Sequence, residues 1–312
     1  MKILVAYDGS SCADAALNDL RRAGLPAEVQ ARILSVADVW VAPRPDEGVR
    51  LQPATTVREE RIIAARNQAS EKARYAVEEA RALAVRACRR VQANSPNWEV
   101  SAEARADSPA WAVLKEANDW KPDLIVLGSH GRSPLNRLML GSVSQKVVTE
   151  ARCSVRVSRG QNKQADSPLR LVLGVDGSPG ADAAVRTLTQ RSWPADTRVY
   201  VVAVMNPVLA TAILWRETDE QTQDAPERVQ ALVEAVVEQV RGAGLAASPH
   251  ILSGNPKQVL VEATERWDAD CIFVGARGLR GIGRLFLGSV SAAVSSRSHC
   301  SVEVVRTDND NE

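Results

Sequence analysis

Gly128-Ser129-His130-Gly131 is followed, after nine residues, by Gly141-Ser142. Gly275-Ala276-Arg277-Gly278 is followed, again after nine, by Gly288-Ser289. In both places the first glycine closes an apolar run, and the Gly-Ser pair opens a segment of helical spacing. Glycine so placed lets the backbone approach an anion and adopt positive φ. Amides at the start of a helix point at such an anion, and the helix dipole favours it. Ser142, Ser144, Ser289 and Ser291 add hydroxyl donors. The chemistry these residues can do is phosphate binding. The chain holds no G-x-x-x-x-G-K-S/T, and no G-x-G-x-x-G after its first strand pattern, which excludes a Walker A loop and the standard dinucleotide fingerprint.

Each loop has an acidic companion. Ile3-Leu4-Val5-Ala6-Tyr7-Asp8-Gly9-Ser10 returns as Leu171-Val172-Leu173-Gly174-Val175-Asp176-Gly177-Ser178. A carboxylate at the end of the first strand can accept hydrogen bonds from ribose hydroxyls or an adenine amine. It can also cap the helix that follows, but its recurrence beside a recurring phosphate loop favours a role in the ligand pocket. His130 lies inside its loop and can touch a phosphate, whereas acid–base catalysis would need a partner the sequence does not display. His250 and His299 have no metal-ligand spacing around them and read as structural. Cys153 and Cys300, at equivalent positions before the last strand, read as small buried thiols rather than redox sensors. Trp40 and Trp215 follow the second strand of each copy, either shielding a pocket or packing a loop.

The elements that must position these residues also occur twice. Alternating strand and helix patterns place strands near 2–7, 29–36, 98–104, 124–127 and 154–157, with helices over 12–23, 57–92, 108–120 and 142–150. The second copy places strands near 170–175, 198–204, 248–252, 271–274 and 301–305. Continuous apolar strands between helices predict an open parallel sheet covered on both faces. The expected organisation is a first domain over 1–158, a polar linker over 159–168, a second domain over 169–306 and a polar tail over 307–312. The second copy is 21 residues shorter between its aspartate and first motif glycine, and the Pro-containing stretch from Val41 to Val57 reads as the extra loop. The mixed-charge helix at 57–92 reads as a solvated face, and the acidic stretch around Glu217–Glu227 as a loop.

The 312 residues are 45% hydrophobic and 25% charged, which suits two soluble domains with a core each. A net charge of +1 gives no electrostatic reason to expect nucleic acid or a membrane surface as partner. Five cysteines without a C-x-x-C pair argue against a disulfide framework or zinc. The first residues run straight into a strand pattern and lack signal-peptide features, so a cytoplasmic location is expected.

With G-x2-G-x9-G-S and an aspartate after the first strand present in both copies, the chain resembles a tandem universal stress protein of the ATP-binding type, along nearly all of both halves. The resemblance implies two Rossmann-like domains of the adenine nucleotide alpha hydrolase kind, each with an open five-stranded parallel sheet and one site for ATP, ADP or AMP, with or without Mg2+. It implies that Asp8 meets the adenosine, that Val36 lines the adenine pocket, and that Leu127 and Gly128 lie against ribose and adenine. Gly131, Arg132, Gly141, Ser142, Val143 and Ser144 would surround the phosphates. The matching positions are Asp176, Val204, Val274, Gly275, Gly278, Leu279, Gly288, Ser289, Val290 and Ser291. Ala6, Gly174, His130 and Arg277 complete the expected contacts. Arg132 is replaced by Leu279 in the second copy, which predicts unequal sites, while Ser154 and Ser301 stand where the family usually has proline and should alter only a turn.

The expected function is therefore a nucleotide-binding module without strong catalysis, ATP serving as signal or structural ligand. The alternatives are a slow Mg2+-dependent ATPase or phosphotransferase, although nothing resembles a P-loop lysine or a kinase catalytic loop, and a scaffold with vestigial sites. Family dimers commonly pair through the final strand. The tandem chain is expected to pair Val155-Val157 with Val302-Val304 antiparallel, as an internal pseudo-dimer, with Arg156 and Glu303 in contact.

Overall fold

The computed structural model describes residues 1–39, 57–131, 140–160, 168–205, 225–278 and 287–307. The first half runs β1 (Lys2–Ala6), α1 (Ser11–Asp19) with a 3-10 turn at Leu20–Arg22, β2 (Gln30–Ala37), α2 (Val57–Asn94), β3 (Glu99–Ala106), α3 (Pro109–Trp120), β4 (Leu124–Gly128), α4 (Ser142–Glu150) and β5 (Ser154–Ser158). The second runs β6 (Arg170–Gly174), α5 (Pro179–Thr189), β7 (Arg198–Met205), α6 (Ala225–Gly242), β8 (Ala246–Ser253), α7 (Pro256–Arg266), β9 (Cys271–Gly275), α8 (Ser289–Arg297) and β10 (Ser301–Val305). Local chemistry sets the starts. Ser10 and Ser178 accept hydrogen bonds from the amides of Ala13 and Ala181, and proline opens α3, α5 and α7.

Every residue of β4 is buried, as a strand covered on both faces must be. Within each half the strands are parallel, ordered β3-β2-β1-β4-β5 and β8-β7-β6-β9-β10. β5 then pairs antiparallel with β10, so the described strands form one ten-stranded sheet. The register sets Val157 opposite Val302, Arg156 opposite Glu303 and Val155 opposite Val304. On one face a single apolar core carries Val113 of α3, Val147 of α4, Leu260 of α7 and Val294 of α8, continuous across both halves. On the other face α1 and α2 cover the first half, and α5 and α6 cover the second.

A buried ion network sits at the junction. Arg156 Nε and Nη2 donate to the two oxygens of Asp19 at 2.7 and 3.1 Å, and Nη1 donates to Glu303 Oε2 at 3.0 Å. Arg191 reaches Glu303 with two nitrogens, one of them 2.9 Å from Oε2. The Arg156 and Glu303 side chains are 1% and 0% exposed. Burial works to raise the Asp19 carboxyl, but the Arg156 charge and hydrogen bonds from Arg156, Ser158 and Ser301 outweigh it and hold the group below its ordinary value.

Two expectations are corrected. The extra length of the first copy is not in the loop after β2: residues 38–56 and 206–224 are spans of 19 each. It is in α2, 38 residues against 18 in α6. Arg61, Ala64 and residues 67–72 of α2 are exposed, so a polar helix with few apolar demands has simply grown outward. Second, Ser154 and Ser301 do more than shape a turn. Ser154 Oγ accepts from the Arg306 amide, and Ser301 Oγ accepts from the Arg159 amide and donates to Asp19, tying one half to the other. Trp40, Trp215, Arg132, Leu279 and the core of the acidic stretch lie outside the described residues.

Candidate nucleotide site

In each half the chain order reverses between the first and fourth strands: β2 and β3 lie to one side of β1, β4 and β5 to the other. Such a switch point leaves a crevice at the carboxyl ends of the strands, the usual ligand position in an open α/β sheet. Ala6, Val36, Leu127 and Gly128 stand at those ends in β1, β2 and β4; Gly174, Val204, Val274 and Gly275 stand at the equivalent ends in β6, β7 and β9. Ala6, Val36 and Val143 are half-buried against the core that contains Leu127, as Val204 and Val290 are against Val274.

The acidic group and the glycine loop meet. Asp8 Oδ1 accepts the Ser10 amide at 2.9 Å, and Asp176 Oδ1 accepts the Ser178 amide at 3.0 Å. A Cβ placed on Gly131 would lie 2.8 Å from Asp8 Oδ2, and one on Gly278 would lie 2.4 Å from Asp176 Oδ2. These glycines exist because a carboxylate oxygen occupies the space of a side chain. Helix capping, the other role open to Asp8 and Asp176, falls instead to Ser10 and Ser178.

The glycines work differently from the expectation. None of Gly128, Gly131, Gly141, Gly275, Gly278 and Gly288 has positive φ; that conformation belongs to Gly9 at 78° and Gly177 at 76°, in the turn after the aspartate. A Cβ on Gly128 would strike the Cys12 carbonyl carbon at 2.6 Å, and one on Gly275 the Gly180 carbonyl carbon at 2.4 Å. Their smallness lets the fourth strand of each half touch the first turn of α1 or α5. The recurring Asp-Gly-Ser was the available signal for the turn and cap; nothing in the sequence spacing revealed the strand–helix contact.

Gly141 and Gly288 cap α4 and α8 with extended backbone, φ −65° and −60°. Their own amides donate to Ser129 O at 2.9 Å and Ala276 O at 2.8 Å, closing each loop on itself. Lacking side chains, they give the first-turn amides of Ser142, Val143 and Ser144, or of Ser289, Val290 and Ser291, no hydroxyl or carboxylate cap. An anion can take that place. Of the four serines expected to donate, Ser144 and Ser291 are buried and donate to Gly128 O at 2.8 Å and Gly275 O at 2.6 Å, fastening helix to strand. Ser142 and Ser289 are the exposed pair.

His130 and Arg277 make the two loops chemically unequal. His130 Nδ1 lies 3.2 Å from Ser129 Oγ. Burial first, then the Arg159 charge, holds its imidazole below the ordinary value, favouring the neutral ring. Arg277 places a guanidinium at the matching position, and its carbonyl accepts from Ser178 Oγ at 3.3 Å. Away from the loops, His250 packs with stacked Tyr200 and Trp267, and His299 pairs with Glu265 at 2.9 Å. Burial pushes the Cys153 thiol up to about 11 and the Cys300 thiol to about 12. Among the described residues no group of His, Cys, Asp and Glu is placed to hold a metal ion, and no helix is long and apolar enough to cross a membrane.

A doubled open α/β sheet with a glycine loop at each switch point defines a tandem protein of the Rossmann-like class. The universal stress protein family model matches residues 1–159 and again 169–306, and the chain belongs to that family. A universal stress protein of Mycobacterium tuberculosis is 28% identical over 187 residues, covering 59% of this chain and 62% of the relative. The chain spans about three fifths of the length of this relative and of a Synechocystis universal stress protein that it also matches. A universal stress protein from Archaeoglobus fulgidus shares the fold across 99% of this chain and 97% of its own, with a TM-score of 0.58 at 18% identity. A universal stress protein solved in complex with cAMP is 27% identical and covers 45% of this chain and 98% of its own, with a TM-score of 0.33.

Proposed function

We propose that the chain is a nucleotide-binding module with two adenine-nucleotide sites, one per half, which takes ATP as signal or structural ligand. The observation that carries this reading is the same construction made twice. An aspartate held in a turn faces a glycine loop, and the loop leads into a helix whose glycine cap leaves the first-turn amides to an anion. In this reading Asp8 and Asp176 take the adenosine end. The chain ends of β2 and β7, at Val36 and Val204, line the base, and the starts of α4 and α8 hold the phosphates. The two sites sit in one chain arranged as a pseudo-dimer about β5 and β10, with domain boundaries near 158 and 169. In this reading the protein's work is binding.

Purified protein, heat-denatured and clarified, should release adenine nucleotide, read by chromatography of the supernatant. Substituting bulky residues at Gly141 and Gly288 should remove it, because a large side chain at either cap would occupy the space that the first-turn amides leave to the phosphates. Sustained ATP turnover by the pure chain, lost in the same variants, would replace this reading with the enzymatic one.

A further inference from the structure

The end of each half's last strand carries an arginine that leaves its own half. Arg306, just past β10, extends to the last turn of α4: its Nη2 donates to Val148 O at 2.7 Å and Thr149 O at 3.3 Å, and its Nη1 to Cys153 O at 3.3 Å. Arg159, just past β5, extends to the last turn of α8, where its Nη2 donates to Ser295 O at 2.8 Å and Ser296 O at 3.1 Å. Val148 and Thr149 are the first-copy counterparts of Ser295 and Ser296 (both pairs are offset by 147), and Arg159 is the counterpart of Arg306 by the same offset. The backbones follow suit, the Arg306 amide donating to Ser154 Oγ and the Arg159 amide to Ser301 Oγ. The contacts to the helix carbonyls and to the serine hydroxyls are reciprocal.

The carbonyls of a helix's last turn have no amide ahead of them and carry the negative end of the dipole, so a guanidinium is a favourable partner. The helices held in this way are the two whose other ends form the proposed phosphate sites. Each is nine residues long, a rod of about 13 Å. Fixing its far end fixes where its first-turn amides point. The Arg159 charge, second to burial, also helps hold the His130 imidazole of the first loop below its ordinary value.

We infer that each half completes the nucleotide site of the other: Arg306 is a positioning residue for the first site, acting through α4, and Arg159 for the second, acting through α8. This rests on the nucleotide reading above, and it adds that neither half would hold phosphate at full strength without its neighbour.

The test uses the full chain with one site closed at a time. Gly288→Phe leaves the first site, and Gly141→Phe leaves the second. In the Gly288→Phe chain, Arg306→Met should weaken ATP about two- to five-fold, the scale of a cation at a helix C-terminus, and Arg306→Lys should recover part of that. In the Gly141→Phe chain the same Arg306→Met should leave the ATP dissociation constant unchanged. Amide exchange over the last turn of α4 should quicken in Arg306→Met while the last turn of α8 keeps its protection. Unchanged affinity in the Gly288→Phe chain despite quickened exchange in α4 would overturn the inference. So would an equal loss at both sites, which would mark a general loosening. Failure of both single-site chains to bind ATP with native Arg306 would instead overturn the nucleotide reading on which it rests.

Discussion

At the scale of single residues, the clearest consequence concerns the pair made by Gly131 and Asp8 and its copy, Gly278 and Asp176. A valine at Gly131 would put its Cβ within 2.8 Å of a carboxylate oxygen, so either the aspartate leaves its turn or the loop moves. Gly131→Val should weaken ATP binding at the first site at least ten-fold while shifting the thermal midpoint by only a few degrees, because Gly131 is exposed; isothermal titration against a melting curve separates the two. A large loss of stability with affinity unchanged would mean the contact is structural. The thiols give a second check. With Cys153 pushed up to about 11 and Cys300 to about 12 from 9.0, the thiolate of Cys153 at pH 8 is about a hundredth of an unperturbed thiol's. Both should resist iodoacetamide in the folded protein and label in urea, read by peptide mass spectrometry. Equal rates in the two states would show that burial does not protect them.

At the scale of elements, the serine hydroxyls distinguish fastening from binding. Ser144 is 4% exposed and bonds the carbonyl that ends β4. Ser144→Ala should therefore cost about 1–3 kcal/mol of stability, the usual effect of stranding a buried partner, measured as a shift in urea midpoint at constant slope. Ser142→Ala, on an exposed hydroxyl, should leave the midpoint in place. This is also where the sequence was least legible. Strand and helix order followed from apolar runs and proline starts, because those patterns are local. The pairing of Ser144 with Gly128 and the closeness of Gly128 to Cys12 are long-range, and a glycine required by a passing backbone looks the same as one required by a ligand. The growth of α2 was misplaced for a related reason: three prolines after β2 suggested an inserted loop, while an Ala, Arg and Glu-rich helix can lengthen without any signal of its own. The correspondence of Arg159 with Arg306 was not read from the sequence, where Arg159 falls in the polar linker; only the joined sheet shows what they reach.

At the scale of the whole molecule, charge decides which halves pair. Across a two-fold axis through the final strand, two first halves would oppose Arg156 to Arg156 and two second halves would oppose Glu303 to Glu303, each in a buried position. One of each gives a matched pair, backed by Asp19 on one side and Arg191 on the other. At the surface such a contact would be worth about 0.2–1 kcal/mol; buried, the loss of one partner costs about 3–5 kcal/mol by stranding the others. Arg156→Met should therefore lower stability by about that amount, and a double-mutant cycle with Glu303→Gln should show strong coupling. Asp19 contributes to the pH response. Its folded value lies below the ordinary one, so its contribution is present above about pH 4 and disappears as pH falls through the folded value. The Arg156→Met chain should lose part of that acid sensitivity, and an unchanged acid midpoint would contradict the assignment. The most direct test of the central claim, two nucleotide sites in one chain, is equilibrium dialysis of the pure protein against labelled ATP. Two equivalents should bind per chain, one in the Gly141→Phe or Gly288→Phe variant and none when both are changed. No binding to the native chain at millimolar ATP, or binding that ignores both substitutions, would contradict it.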